Sequence, residues 1–216
     1  MVLCNEQEDT SNEKRNITLQ KEKFMTAIVK PYVSKQDYLA AERNATFKSE
    51  FYKGEVSPMA GATKEHNKIA GAVIGELYTH LKGRACSVMP GDIRVYNPTN
   101  TLYTYPDVVI SCEEEKYLDN EFDTLLNPTI IIEILSKNTQ DYDRGTKFFH
   151  YRSIPSLQQY VLINSLEIGI EIFTRDEEKW ILTSANSLED ELYLSTIDYR
   201  FKVKDIYAQV MHLLPR

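Results

Sequence analysis

A chain of 216 residues has the size of one domain with a tail, and with 42% hydrophobic and 26% charged residues it can bury a core without staples. A net charge of −7 excludes a protein that coats nucleic acid through general basicity, so any phosphate backbone must be held by a local basic patch or through bound metal. The three cysteines (Cys4, Cys86, Cys112) are far apart and form no C-x-x-C pair, which predicts reduced thiols rather than a disulfide framework or structural zinc.

Residues 1–26 are predicted to form a polar, flexible tail, because such a composition cannot bury enough surface to offset its ordering entropy. The domain is expected over 27–216. Ser34 followed by Asp37 has capping-box spacing and opens a short helix through YLAAE. KSEFYKGEVSP (48–58) reads as a hairpin bent at Gly54. A long helix follows over about 64–82, with Ile69, Val73, Ile74, Leu77 and Leu81 on one stripe and Gly83 as its stop.

Strands are predicted next. Ile93 and Val95 alternate with Asp92 and Arg94, Val108–Ile110 is a short apolar run after Pro106–Asp107, and 129–135 (TIIIEIL) reads as a central strand buried on both faces. Asp141 or Asp143 is expected to cap a helix running to about Ser153. QYVLIN and IGIEIF form an expected hairpin with KWILTS as a third strand, and a helix over 203–213 closes the chain. The order implies an α/β (α+β) fold, a mixed sheet flanked by helices. No run approaches the roughly 18 apolar residues of a membrane span. The expectation is a cytoplasmic protein with no membrane partner.

Two carboxylates stand out. Glu133 lies inside an apolar strand, where an isolated charge must be protonated, paired or bound to a cation. Asp107 opens another apolar strand. If the strands are neighbours, both acids meet at one sheet rim, where a hard divalent ion takes one or two carboxylates plus water and phosphate oxygens. Such a site activates water for attack on a phosphodiester. Asp143, Lys147 and Tyr151 share a helix face at i, i+4, i+8, with Lys147 readable either as a catalytic cation or as a surface lysine paired with Asp143. Lys137 is a second lysine near Glu133. Glu50 and Glu55 flank the hairpin bend, and His66 sits in the first turn of the long helix. Lys64, Lys68, Lys137, Arg144, Lys147 and Arg152 are the residues available for a basic patch.

The segments SEFYKGEVSPMAGATKEHNKIAGAVIGEL, YPDVVI, IIIEILSKNT and DRGTKFFHYRSIPSLQQYVLIN, in this order, resemble the Uma-two family of restriction-endonuclease-like proteins, similar in turn to the PD-(D/E)XK nuclease superfamily. The resemblance covers about residues 35–175. It implies a restriction-endonuclease-like fold with a central mixed β-sheet flanked by helices. It also implies a Mg²⁺- or Mn²⁺-dependent endonuclease acting on DNA. Asp107 and Glu133 would then be the motif acids and metal ligands, with the backbone carbonyl of Ile134 completing the shell. Glu50 would be a supporting acid and His66 the family's histidine. The chain departs from the usual E-x-K: Leu135 stands at the third position, and the amine is carried over to Lys147 on the next helix. A homodimer is expected if both strands of a duplex are cut. The rival reading is a nuclease fold, catalytically weak or inactive, that binds protein or nucleic acid.

Overall fold

The computed structural model describes residues 31–214. The expected tail over 1–26, and Cys4 with it, lies outside the described residues. Helix α1 (Lys35–Glu42) is capped by Ser34, whose hydroxyl accepts from the Asp37 amide as the capping-box spacing predicts. Strands β1 (Ser49–Tyr52) and β2 (Glu55–Pro58) form the expected hairpin. Its two-residue turn puts Lys53 and Gly54 at positive φ, the arrangement whose twist matches the flanking strands.

Helix α2 (Lys64–Leu81) buries Ile69, Val73, Leu77 and Leu81. Each such side chain stabilises the fold by roughly 1.5–3 kcal/mol relative to exposure. The stripe packs on a six-stranded mixed sheet of order β11-β10-β9-β8-β6-β3. Its members are β3 (Ser87–Pro90), β6 (Val108–Ser111), β8 (Ile130–Leu135), β9 (Gln159–Asn164), β10 (Ile170–Asp176) and β11 (Lys179–Ala185). The predicted central strand is β8, buried at every position and paired in parallel with β9 and antiparallel with β6. Its residues alternate between two cores. Ile130, Ile132 and Ile134 face α2, whereas Ile131 and Leu135 face a second cluster with Tyr151, Tyr160 and Leu162. Glu133 shares the parity of Ile131 and Leu135, so it enters that second face.

A five-stranded sheet of order β2-β1-β5-β4-β7 adds β4 (Arg94–Asn97), β5 (Leu102–Thr104) and β7 (Thr124–Leu125). The segment 86–96, read as strand with alternation at 92–95, is thus split between β3 and β4 in two sheets. Arg94 is buried, not exposed, because Asp123, Thr124 and Tyr105 supply its partners. After β8 the chain turns into α3 (Gln140–Tyr142), one wide helical turn (Asp143–Lys147) and α4 (Phe148–Tyr151). Neither Asp141 nor Asp143 caps this run; it starts after Thr139, and Asp143 is buried within it. The strands β12 (Glu191–Leu194) and β13 (Tyr199–Lys202) were not legible in sequence, and the closing helix α5 (Val203–Tyr207) is shorter than expected.

The expectation of reduced thiols is corrected: Cys86 and Cys112 form a disulfide. β3 and β6 pair Ser87 with Ser111, so the next residues outward face each other across the two strands. This register is a property of the sheet and leaves no mark in cysteine spacing. Disulfides are rare in the cytosol, so the bond also removes the thiol support for a cytoplasmic placement. No helix among the described residues is long and apolar enough to cross a membrane.

Candidate active site

Asp107 precedes β6, whose register pairs Val109 with Ile131 and Val108 with Ile132. One step further, Asp107 stands across from Glu133 on β8. The two acids are therefore brought together at one rim of the sheet, as the sequence reading required. The Asp107 carboxylate accepts a hydrogen bond from the Ile134 amide at 2.7 Å through Oδ2. The N–H and C=O of one strand residue leave from the same strand edge, so the Ile134 carbonyl also faces the Asp107 side.

His66 reaches the same oxygen, its Nε2 lying 3.1 Å from Asp107 Oδ2. Its place is set by the start of α2, where the Thr63 hydroxyl accepts from the His66 amide and caps the helix. Burial opposes a charged imidazole there, but Asp107, with help from Asp143, holds the ring above the ordinary histidine range.

On the other side of the rim stands Lys147, with a side chain only 5% exposed. The reading as a surface lysine is therefore excluded. Its ammonium lies 2.9 Å from Glu133 Oε1, 3.1 Å from Glu50 Oε1 and 3.5 Å from Asp143 Oδ1. Burial works against its charge, yet Glu133, Tyr151, Glu50 and Asp143 outweigh it and hold Lys147 protonated well above the usual lysine range. Burial pushes Glu133 in the opposite sense, well above the usual carboxyl range; Lys147 opposes that shift, and Asp143 and Asp107 reinforce it. Asp143 is raised by burial as well, and Lys147 again opposes. The cluster thus gathers more carboxyl groups than one lysine can pair, and burial favours the neutral form of Glu133 and Asp143.

Tyrosines complete the frame. The Tyr151 hydroxyl donates to Glu133 Oε1 at 3.1 Å, and with its one proton so used it accepts from Thr104 Oγ1 at 2.7 Å. Tyr142 donates to Glu50 Oε2 at 3.2 Å. The sequence assigns no site role to Tyr142, Asp143 or Tyr151. The helical spacing of Asp143 and Tyr151 around Lys147 was visible in sequence, but not that this face turns inward. Glu55 and Lys137 are exposed and join neither carboxylate cluster. Of the residues available for a basic patch, Lys147 is buried among acids and Arg144 is paired with Glu171. Glu50, His66, Asp107, Glu133, Asp143 and Lys147 line one cleft of about 1020 Å³, with Tyr151 buried behind it.

The family model described as "Putative restriction endonuclease", Uma2, matches residues 35–203. The chain belongs to the Uma2 family. Two uncharacterized proteins of Synechocystis sp. are similar to the Uma2 chain. One is 34% identical over 74% of this chain and 90% of its own length, the other 31% identical over 82% and 92%. A crystal structure titled as that of a putative nuclease belonging to DUF820, from Anabaena variabilis, has a TM-score of 0.68 and 15% identity, covering 82% of this chain and 98% of its own. At that identity the likeness shows the fold: this Uma2 chain shares the mixed α/β architecture of that protein.

Proposed function

We propose that this Uma2 protein is a divalent-metal-dependent endonuclease that hydrolyses DNA phosphodiester bonds in the cleft above β6 and β8. The observation that carries the reading is the cluster itself: Glu50, Glu133 and Asp143 surround the Lys147 ammonium, and Asp107, paired with His66, lines the same cleft at the sheet rim, in a fold shared with a protein titled as a nuclease. Such a surplus of buried carboxyl groups is relieved either by protonation or by a further cation, and a bound cation would hold them ionised. The donors are hard oxygens, the chemistry suited to Mg²⁺ or Mn²⁺. Among the described residues no three His, Cys, Asp or Glu side chains already converge as a metal-binding group. A Mg²⁺-type site needs only one or two carboxylates, with water and phosphate oxygens for the rest. Asp107, Glu133 and the Ile134 carbonyl fit that requirement.

When bound, the ion supplies Lewis acidity to the phosphate and lowers the pKa of water. The remaining work belongs to the chain. Asp107 is aimed by the Ile134 amide and by His66. Glu133 is aimed by Tyr151. Lys147 keeps its proton and stands beside Glu133, positioned to orient the attacking water and to stabilise charge developing on the phosphoryl oxygens. Glu50 and Asp143 hold that ammonium in place. The amine of an E-x-K motif is thus replaced by one arriving from the following helix, and Leu135 is free to pack in the core.

Plasmid cleavage in Mg²⁺ and in Mn²⁺ tests the assignment. Wild type is expected to nick or linearise the plasmid, and Asp107→Ala and Glu133→Ala to lose at least about 100-fold in rate, the scale of a removed electrostatic contributor. Equal activity in all three proteins would remove the assignment.

A further inference from the structure

Beyond the carboxylates, the cleft contains a second built cluster that the hydrolytic chemistry does not use. Three segments meet there: the end of β1 with Tyr52, the end of β4 and the turn after it with Asn97 and Asn100, and α4 with His150. His150 is only 6% exposed and lines the cleft. Asn97 Nδ2 donates to the His150 carbonyl at 2.7 Å. Asn100 Nδ2 lies 3.0 Å from His150 Nδ1 and 3.4 Å from the same carbonyl. With Asn100 Nδ2 donating to both, His150 Nδ1 accepts, and in that tautomer the ring proton is carried on Nε2. Burial, with Lys53 nearby, holds the ring below the ordinary histidine range and therefore neutral. Nε2–H makes no hydrogen bond among the described residues. The Tyr52 ring lies 4.6 Å from the imidazole.

The cluster stands in a fixed relation to the carboxylates. Tyr52 is two residues beyond Glu50 on one face of β1, a step of about 7 Å. His150 is three residues beyond Lys147, on the same side of the helical run. At about 3.4 Å per base step along a strand, this is the distance of one to two nucleotides.

We propose that Tyr52 and His150 form a nucleobase subsite: a base flanking the scissile phosphate packs against Tyr52 and accepts a hydrogen bond from His150 Nε2–H. The inference rests on the nuclease reading and adds a residue-level contact to it. A neutral donor beside an aromatic ring matches a base edge, which offers neutral acceptors and a π-face. A phosphate would instead favour a protonated imidazole.

The test uses the full chain in Ca²⁺ buffer and fluorescence anisotropy of two labelled single-stranded dodecanucleotides, one with bases and one with an abasic backbone. Wild type is expected to prefer the base-bearing strand by on the order of tenfold. His150→Phe and Tyr52→Leu should abolish that preference while leaving abasic binding unchanged. His150→Gln, which restores an N–H donor, should recover it and shows that loss in the phenylalanine variant is not misfolding. Preference retained in both His150→Phe and Tyr52→Leu, or equal loss on both strands, would overturn the subsite and leave the nuclease reading standing. Binding of neither strand by wild type, with no plasmid cleavage, would overturn both.

Discussion

Lys147 is the residue on which the electrostatics of the site turn. Removing one partner of a buried charge cluster leaves the others uncompensated, at a cost of roughly 3–5 kcal/mol. Lys147→Met should therefore lower the unfolding free energy of the metal-free protein by about that amount in urea titrations, since Glu50, Glu133 and Asp143 all lose their ammonium. Added Mn²⁺ should recover part of the loss, because a ligand that binds only the folded state stabilises it. An unchanged midpoint would mean that the lysine contributes nothing to holding these acids. That Glu133 must find partners was legible in the sequence because a lone acid within TIIIEIL has no cheap way to be buried, and Lys147 and Tyr151 supply them. The role of Asp143 was not. An acid four residues before a lysine reads as a surface pair, and only the inward turn of the helix face makes it part of the site.

At the scale of elements, the site depends on where helices start and strands end. Thr63 caps α2 through the His66 amide, in the same turn that places the imidazole on Asp107. Thr63→Ala should cost about 1 kcal/mol of stability in chemical denaturation. A change below about 0.2 kcal/mol would show that the hydroxyl contributes no net capping. The hairpin at Gly54, the α2 stripe and the strand β8 were each readable because one periodicity or one turn residue specified them. The division of 87–97 between two sheets was not. Arg94 looks like the polar position of an alternating strand until Asp123, Thr124 and Tyr105 supply a buried setting for it from other segments.

Across the whole molecule, long-range ion pairs tie the first helix to the middle of the chain. Arg43 at the end of α1 and Arg94 on β4 both bond Asp123. Burial alone would raise this carboxyl, but Arg43, Thr124 and Arg94 hold it well below the usual carboxylate range. A folded-state pKa below the unfolded one stabilises above the unfolded pKa, near 3.9, and that contribution fades as pH falls through the folded value. Asp123→Asn should thus melt at a lower temperature than wild type at pH 7, with the gap closing as the pH drops below about 4. A gap of constant size from pH 7 to pH 3 would contradict the account. No sequence pattern announces these ties or the Cys86–Cys112 bond, because they join segments whose adjacency is set by sheet order. The architecture as a class was legible, since alternating helices and apolar strands admit few packings.

Calorimetric titration of the metal-free full chain with Mn²⁺ tests most directly whether Asp107 and Glu133 hold a hard cation between them. Saturable binding in the wild type, lost in both Asp107→Asn and Glu133→Gln while their folded spectra are kept, is the predicted result. Wild-type-like binding in either variant, or no binding in the wild type, would contradict it.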